Sequence, residues 1–556
     1  FDEKLIEATI NNYKMQLMRS FEENDSRAIL YVYSFISGAD WADEVARIDR
    51  MSKITKQDVV EWANKYLGPE SYAIIYKREG KDPDEQKIAA PKITPIVTNR
   101  DSQSEFLSEI QTSQVQPIEP VFVDYKKDMS QFEAQPGIDV LYKKNETNDI
   151  FTLIYVFNTG TENDPALNLA FNYLSYLGTD KMTAEEIASE MYDIACSFYM
   201  NAGANQSSIQ ITGLSENMGK AMEIVEGLIA GAKPDEAILE NCKADMLKSR
   251  ADAKLNQSRC FGALQRYLFY GGDFIRRTTL TDPALQALTS EQLLAKIGGL
   301  MGKQHEVLYY GPQKEAEVKS ALAEHHKVAA DLQPLEKKFS TLLPTDANKV
   351  VLAQYDAKQL YYLQFSNRGE KFDVAADPEI TLYNEYFGGG MNTIVFQEMR
   401  EARGLAYTAW ATLATPSNAN GDYSYYAFIA TQNDKMQKAV EAFDDIINNM
   451  PESEKAFGIA KEALVSRLRT ERTVKDGVLW SYLRARDLGL DAPRDKQIFE
   501  KVQSMTLDDV KAAQQKWVKG RKYVYGILGD IQDLDLNYLK TLGPIQTVSQ
   551  EEIFGY

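Results

Sequence analysis

The sequence predicts an α+β protein made of duplicated domains of about 217 residues, each a mainly antiparallel sheet with helices packed on one face. Three observations predict this class. Segments rich in Tyr, Val and Ile are typical of strands, other segments repeat apolar residues every three to four positions as helices do, and one helix–strand pattern recurs along the chain. The irregular alternation of the two element types favours helices grouped against an antiparallel sheet.

Length and composition are those of a globular protein with several domains. The chain has 556 residues, enough for about three or four domains, and its 44% apolar and 26% charged residues are ordinary for a globular protein. The 81 Asp and Glu residues outnumber the 62 Lys and Arg residues, so the net charge is −19. Such a chain repels phosphate backbones and anionic lipid, and we therefore expect no nucleic-acid partner. No apolar stretch approaches the ~20 residues of a membrane-spanning segment.

The recurring pattern defines the repeat. It begins with a threonine that has an acidic residue soon after it, a capping box or close to one, and continues as an amphipathic helix into a Tyr-rich strand. The threonines are Thr55, Thr289 and Thr506, and the last two lie 217 residues apart. The pair Ser249-Arg250 recurs at the same distance as Ser466-Arg467. A repeat of this length indicates duplicated domains, because the repeats of stacked arrays are far shorter.

The repeat and the Pro-rich stretches divide the chain. Because it begins at Phe1 and not at Met, we expect the true N-terminus to be missing and the first range to be the end of a truncated copy. The predicted parts are a truncated second domain (1–80), a linker (81–120), a third domain (121–315), a connector (316–345), a fourth domain (346–533) and a tail (534–556).

Local patterns predict individual elements. Apolar residues fall on one face of the helices expected near 218–229 and 436–447, and this face should pack against the core. Aromatic and β-branched residues predict strands at 360–365, 423–429 and 523–528.

Cysteine and histidine are scarce. Cys196, Cys242 and Cys260 form no C-x-x-C pattern, so we expect buried thiols and no disulfide framework. The three histidines are His305, His325 and His326, and a catalytic zinc site usually needs two or three histidines with a carboxylate. We therefore expect no metal site built from this chain alone.

A glycine-rich turn carries the densest local signal. Gly388, Gly389 and Gly390 are expected to open a helix, where free backbone N–H groups can hold an anion or a substrate carbonyl. The residues by themselves equally suit a flexible turn into a helix.

The turn leads into the run Met-Arg-Glu-Ala-Arg-Gly-Leu-Ala-Tyr over 399–407 and then into a strand. This combination resembles the C-terminal domain of the pitrilysin/insulinase family of zinc metallopeptidases, and the resemblance extends over nearly the whole chain. It implies a clamshell of four homologous domains, in which an N-terminal half holds zinc on an inverted H-x-x-E-H helix. Our chain would be the end of the second domain, the linker and the C-terminal half.

The resemblance also implies that this half is not catalytic by itself. The place of the zinc helix in the third domain falls at 168–179, where Phe171, Leu174 and Ser175 stand in the positions of His, Glu and His. None of the three binds zinc well or acts as a base. Zinc would be the cofactor of the full-length parent, and its ligands would lie in the N-terminal half of the same polypeptide.

The fourth domain is expected to contribute to chemistry. The resemblance implies that an Arg and a Tyr seven residues apart, Arg400 and Tyr407, reach a peptide substrate near the zinc. A phenol O–H can stabilise the oxyanion formed when zinc-bound hydroxide attacks a carbonyl, and a guanidinium offers a planar fork to backbone carbonyls. Arg403 could take the role of Arg400, and both Arg400 and Tyr407 could be ordinary surface residues.

The function expected is therefore the C-terminal half of a zinc endopeptidase that degrades peptides or small unfolded proteins, with Gly388, Gly389, Gly390 and Arg403 beside the substrate. The alternative is a non-catalytic partner or scaffold subunit built from the same domains. An unrelated α+β binding protein would require the repeat and the Gly-Arg-Tyr segment to be coincidental. A bacterial periplasm and a cytoplasm both suit the composition.

Overall fold

A computed structural model describes residues 3–80 and 104–556. Most of the predicted linker, 81–103, lies outside the described residues. The strands are β1 (Ser130–Gln135), β2 (Ile138–Lys144), β3 (Ile150–Phe157), β4 (Cys196–Ala202), β5 (Ser207–Leu214), β6 (His305–Gly311), β7 (Lys349–Gln354), β8 (Gln359–Ser366), β9 (Thr408–Ala414), β10 (Ser424–Gln432), β11 (Val524–Gly529) and β12 (Ile545–Val548).

The helices of the first half of the chain are α1 (Lys4–Ser20), α2 (Asn24–Ser37), α3 (Trp41–Val45), α4 (Arg47–Met51), α5 (Lys56–Tyr66), α6 (Glu105–Thr112), α7 (Tyr125–Asp128), α8 (Leu167–Leu174), α9 (Ala184–Asp193), α10 (Met218–Gly231), α11 (Glu236–Lys254) and α12 (Gln257–Thr278). Those of the second half are α13 (Asp282–Ala287), α14 (Ser290–Met301), α15 (Glu315–His325), α16 (Asp377–Phe387), α17 (Ile394–Phe396), α18 (Met436–Asn448), α19 (Glu454–Thr470), α20 (Gly477–Asp487), α21 (Arg494–Val502), α22 (Leu507–Ala513), α23 (Leu536–Leu542) and α24 (Gln550–Phe554).

The strands of the described residues form two six-stranded sheets that match in five strands and differ in the sixth, β1 or β12. The first sheet has the order β1-β2-β6-β3-β5-β4 and the second sheet the order β12-β7-β11-β8-β10-β9. In both sheets the central strand that ends a repeat, β6 or β11, is parallel to one neighbour and antiparallel to the other. The remaining pairs are antiparallel except that of β12 with β7. The predicted α+β class with duplicated, mainly antiparallel sheets is confirmed.

The threonine signals mark real helix starts. Thr55, Thr289 and Thr506 each cap a helix through a capping box, with the third residue's side chain returning to the backbone of the threonine. Two of these helices, α14 and α22, lead into β6 and β11, which are buried along their whole length. The helix that Thr55 caps, α5, leads instead into residues 71–77, which form no strand and leave the Ile75 side chain 92% exposed.

Each sheet packs most of its own helices against one face, as predicted. Met218, Met222 and Val225 of α10 are buried in the core beneath the first sheet. Met436 and Phe443 of α18 occupy the matching place beneath the second sheet. The three predicted strands correspond to β8, β10 and β11.

The opposite face of each sheet is covered by a helix from the other part of the chain. Leu264 and Leu268 of α12, which lies in the range predicted as the third domain, pack on the second sheet. A Cβ at Gly526 of β11 would lie 2.3 Å from Leu268 Cδ1, so a side chain here would displace that of Leu268. Leu479 and Leu483 of α20, from the predicted fourth domain, pack in turn on the first sheet. The two units therefore interlock.

The range 534–556, which the sequence analysis separates as a tail, is part of the second unit. It contains α23, then β12, which pairs in parallel with β7, and then α24, whose Ile553 lies in the core between α12 and the second sheet. A four-residue strand with two exposed positions carries too little pattern to be recognised from sequence.

All three cysteines are buried free thiols, as predicted. Burial raises the pKa of the Cys196 thiol to about 12. None of the helices in residues 3–80 and 104–556 is long and apolar enough to cross a membrane.

A buried chain of hydrogen bonds joins three segments of the first unit. His305 Nδ1 lies 2.7 Å from the Lys303 carbonyl, His305 Nε2 lies 2.8 Å from His326 Nε2, and His326 Nδ1 lies 2.5 Å from Glu226 Oε1. A neutral imidazole carries one N–H, so one of its ring nitrogens donates and the other accepts. Because His305 Nδ1 donates to the Lys303 carbonyl, His305 Nε2 can accept from His326 Nε2 only while His305 stays neutral.

Candidate substrate-contacting site

The segment between α16 and β9 presents the residues that the sequence singles out. It runs through the glycine-rich turn and α17 into a π-helix, Gln397–Ala402. The chain then leaves the helix at Gly404, whose φ of +57° is in the left-handed region that favours glycine. A single π turn inserts one extra residue and shifts every later side chain around the helix, and such turns are frequent at functional sites.

The glycine turn is docked on the outer edge of the second sheet. A Cβ on Gly388 would lie 1.9 Å from the carbonyl oxygen of Ala411 in β9, and the Ala411 N–H donates to the Gly388 carbonyl at 3.0 Å. Beside it, the Asn384 amide accepts from the N–H of Leu413 at 2.9 Å and donates to its carbonyl at 3.0 Å. This part of the β9 edge is therefore closed by the chain itself.

The glycines do not open a helix, contrary to expectation. The next helix begins at Ile394, after Thr393, because the backbone of Gly388 is held by the strand. Gly389 and Gly390 are exposed, and a Cβ on Gly389 would meet nothing within 4 Å. These two positions leave open space beside the π-helix.

Arg400 and Tyr407 are brought together at the end of this segment. The Arg400 guanidinium carbon lies 4.8 Å from the centre of the Tyr407 ring and 5.0 Å from that of Phe396, one turn earlier in the helix. The Tyr407 side chain is 70% exposed, and its hydroxyl has no hydrogen-bond partner among the described residues. The nearest carboxylate to Arg400 is Glu401, with its oxygen 3.7 Å from Arg400 Nε. The arginine fork is thus held against aromatic rings while its N–H groups stay available.

Arg403 has a different environment. Its Nη2 lies 3.4 Å from Glu398 Oε2 and 3.4 Å from Asp445 Oδ2 of α18. The hydrogen bond from Asn449 and that from Arg403 hold the pKa of Asp445 below its ordinary value. Arg403 therefore fastens the π-helix to α18, and Arg400 is the arginine that meets Tyr407. Residue spacing alone left this choice open.

Helix α8 occupies the position that the family resemblance assigns to the zinc-binding helix. Phe171 and Leu174 are buried in the first core, and Ser175 lies at the surface, where its hydroxyl donates to the Asn172 carbonyl at 2.6 Å. Within residues 3–80 and 104–556 no group of three or more His, Cys, Asp or Glu side chains could hold a metal ion. Zinc does not fit the residues described here.

Two contributors to the site were not predicted from the sequence. Phe396 lies four residues before Arg400, the spacing of neighbours on a helix face, and this signal could have identified it. Asn384 had no signal, because its role depends on a strand 29 residues away.

Comparison with known proteins adds independent findings. Residues 304–464 match the family described as "Peptidase M16 inactive domain". An "Uncharacterized zinc protease" of Rickettsia bellii is 23% identical over 312 residues, 54% of this chain and 70% of that protein. The solved peptidase M16 inactive domain of Pseudomonas fluorescens has a TM-score of 0.57 at 18% identity, covering 72% of this chain and 98% of that one. The ferredoxin protease FusC, solved with Arabidopsis ferredoxin, has a TM-score of 0.58 at 13% identity over 86% of this chain.

The described residues form two interlocked α+β units, and no metal-ligand cluster occurs among them. The family match over 304–464, together with the fold shared with the solved inactive domain, supports the resemblance to the C-terminal half of pitrilysin, or peptidase M16, proteins. The chain spans about half, 51%, of the FusC chain.

Proposed function

We propose that this chain is the C-terminal half of a zinc-dependent endopeptidase that degrades peptides or small unfolded proteins. In this proposal it forms part of the wall of the substrate chamber and contributes Arg400 and Tyr407 to the substrate. The observation that carries the proposal is the pair itself: an exposed phenol whose hydroxyl has no partner among the described residues, its ring centre 4.8 Å from a guanidinium carbon whose arginine meets a carboxylate, that of Glu401, only at 3.7 Å through Nε. Binding and catalytic residues are often carried by connecting segments that a rigid scaffold positions, as this segment is by the second sheet.

The chemistry of the pair suits peptide hydrolysis. Addition of a nucleophile to a peptide carbonyl places negative charge on the carbonyl oxygen, and the Tyr407 O–H would donate a hydrogen bond to that oxygen. Donors of this kind lower the barrier by roughly 2.7–4 kcal/mol. The Arg400 fork would bind backbone carbonyls on either side of the scissile bond, because its orientation is already set by Phe396 and Tyr407.

The metal would be bound outside these residues. Because α8 carries Phe171 and Leu174 in its buried face, we assign the zinc to the N-terminal half of the parent polypeptide, which is the partner of this chain. The first 80 residues support such a partner. Tyr33, Phe35 and Ile36 of α2 are mostly exposed, as is Ile75 in the segment that matches the buried strands β6 and β11. An apolar surface of this kind marks a protein–protein contact.

The test is substitution in the full-length parent. Tyr407→Phe removes only the donor and should lower kcat by roughly 10²–10³-fold with little change in KM. Arg400→Lys should raise KM, because an ammonium group cannot reproduce the planar fork. Arg403→Lys is the matched control and should leave both constants nearly unchanged, since its partners Glu398 and Asp445 lie within the protein.

A parent whose peptidase activity is untouched by Tyr407→Phe would refute the assignment. That result would leave the pair without a catalytic role in an active peptidase. A parent that has no peptidase activity would refute the proposed function as a whole and would favour the alternative, a non-catalytic partner or scaffold subunit.

A further inference from the structure

The outer edge of the first sheet is open, whereas the matching edge of the second sheet is closed. Both β4 and β9 are edge strands of seven residues, and they hold the same position in their sheets. On β9, Gly388 and Asn384 occupy the outward backbone groups of Ala411 and Leu413. On β4, no such contact exists among the described residues.

The register shows which groups of β4 are free. The Leu214 N–H donates to the Ala195 carbonyl at one end, and the Gly203 N–H donates to the Gln206 carbonyl at the other. Odd-numbered residues therefore face β5, and the ladder is continuous between them. The N–H and C=O groups of Cys196, Phe198, Met200 and Ala202 point away from the sheet, and within the described ranges none of them has a hydrogen-bond partner.

Nothing in β4 protects this edge. Proteins usually blunt an exposed edge with a proline, a charged side chain, a bulge or a covering segment. The strand Cys-Ser-Phe-Tyr-Met-Asn-Ala contains no proline and no charge, and its pairing with β5 has no bulge. An unprotected edge of seven residues spans about 23 Å, enough for a peptide of similar length.

We propose that β4 binds an extended peptide segment by strand addition, with a preference for segments that carry basic residues. The outward groups of Phe198, Met200 and Ala202 would pair with the peptide backbone. Side chains on one face of the peptide would lie beside Phe198 and Met200, which are partly buried on the core, and those on the other face beside Tyr199, which is 64% exposed. The site lies in the first unit, apart from the Arg400–Tyr407 pair in the second.

The charge preference comes from α9, which packs against β4. Its exposed residues include Glu185, Glu190 and Asp193, and none of these carboxylates has an ion-pair partner in the part of the chain that the structure describes. The net charge of the whole chain, −19, acts in the same direction.

This inference rests on the proposed function in one respect, that the bound segment is a substrate peptide; the binding itself requires neither zinc nor catalysis. The probe is therefore the 556-residue chain with a fluorescent peptide, Lys-Thr-Val-Thr-Val-Thr-Val-Lys. We expect saturable binding, with slower hydrogen exchange at the amides of 198, 200 and 202. The same peptide with glutamate at both ends should bind at least threefold more weakly.

Proline substitution isolates the backbone contact. Met200→Pro removes an outward N–H that the native ladder does not use, and an edge strand tolerates proline at such a position. It should weaken binding at least tenfold, whereas Met200→Ala, which keeps the N–H, should weaken it less than threefold. Two N-methylated peptides, methylated at alternate sets of amides, test the same contact without altering the protein, and only one of them should bind.

Three results would overturn the proposal. The first is absence of peptide-dependent protection at β4. The second is equal binding of both N-methylated peptides. The third is concentration-dependent dimerisation that protects the same amides without peptide, since the edge would then pair with a second copy of the chain. If the parent has no peptidase activity but the peptide still binds at β4, the proposed function fails and this inference stands.

Discussion

Replacing His305 by asparagine should remove a component of stability that depends on acid. The asparagine amide can keep the hydrogen bond to the Lys303 carbonyl that His305 Nδ1 makes, but it does not titrate. In the native protein, burial and the neighbouring charge of His326 lower the pKa of His305 to about 4. The geometry supplies the reason, because a proton added to His305 Nε2 would face the N–H of His326 at 2.8 Å.

The sign of the effect follows from where the proton binds more tightly. The pKa of His305 is about 4 in the folded protein and near its ordinary 6.5 when unfolded, so between these values the unfolded chain holds more protons. The stability contributed by neutral His305 is complete above about pH 6.5 and is lost as the pH falls toward 4. At 1.36 kcal/mol per pKa unit, the loss is about 3 kcal/mol.

Urea denaturation between pH 4 and 7 measures this component. The difference in unfolding free energy between the native protein and His305→Asn should shrink by about 3 kcal/mol over that range. His325→Asn is the matched control, because His325 is adjacent in sequence to His326 but takes no part in the buried network. A difference that does not change with pH would refute the assignment of His305 as neutral. Imidazole ¹⁵N shifts of the three histidines give a direct second reading.

Two further predictions concern the second unit. Burial raises the pKa of Asp444 to about 6. Between about pH 3.8 and 6 this carboxyl is therefore more protonated in the folded than in the unfolded protein. Its contribution to stability declines as the pH rises through that window. Asp444→Asn should abolish the decline, so that urea titrations at pH 7 give the variant, relative to the native protein, an unfolding free energy higher by roughly 1–3 kcal/mol. An unchanged pH profile of the variant would contradict this prediction. Gly388→Ala should lower the unfolding free energy by roughly 1–3 kcal/mol, because the new Cβ meets the Ala411 carbonyl. The control Gly389→Ala has open space around the new Cβ and should change the unfolding free energy by no more than about 0.5 kcal/mol. Equal effects of the two variants in calorimetry would contradict the docked turn.

Much of the architecture could be predicted from sequence because its signals are local. The capping threonines Thr289 and Thr506 mark the starts of α14 and α22, and the apolar stripes of α10 and α18 lie on the core faces expected for them. A capping box involves four consecutive residues and a helix stripe a few turns, so neighbouring residues in the chain contain the whole pattern. The duplication followed from the constant spacing of these signals.

The candidate site could be predicted only in part from local sequence patterns. The spacing of Arg400 and Tyr407 indicated a pair but left Arg403 as an equal choice, because the same residues can form an α turn or a π turn. The turn that forms places Arg400 on the Tyr407 ring and directs Arg403 to Asp445. The expected helix start at the glycines was wrong for the same kind of reason, since the contact of Gly388 with β9 depends on how α16 lies along the sheet.

By itself the sequence determined the element types, the repeat and the family resemblance, since each depends on residues close together in the chain or on the order of such groups. Tertiary structure alone decided the exchange of α12 and α20 between the two sheets, the parallel addition of β12, and the meeting of His305 with His326 and Glu226. It also decided that β9 is closed while β4 is open. These features share one physical reason: each depends on hydrogen bonds or packing between distant segments, and their partners are chosen by the topology of the sheets.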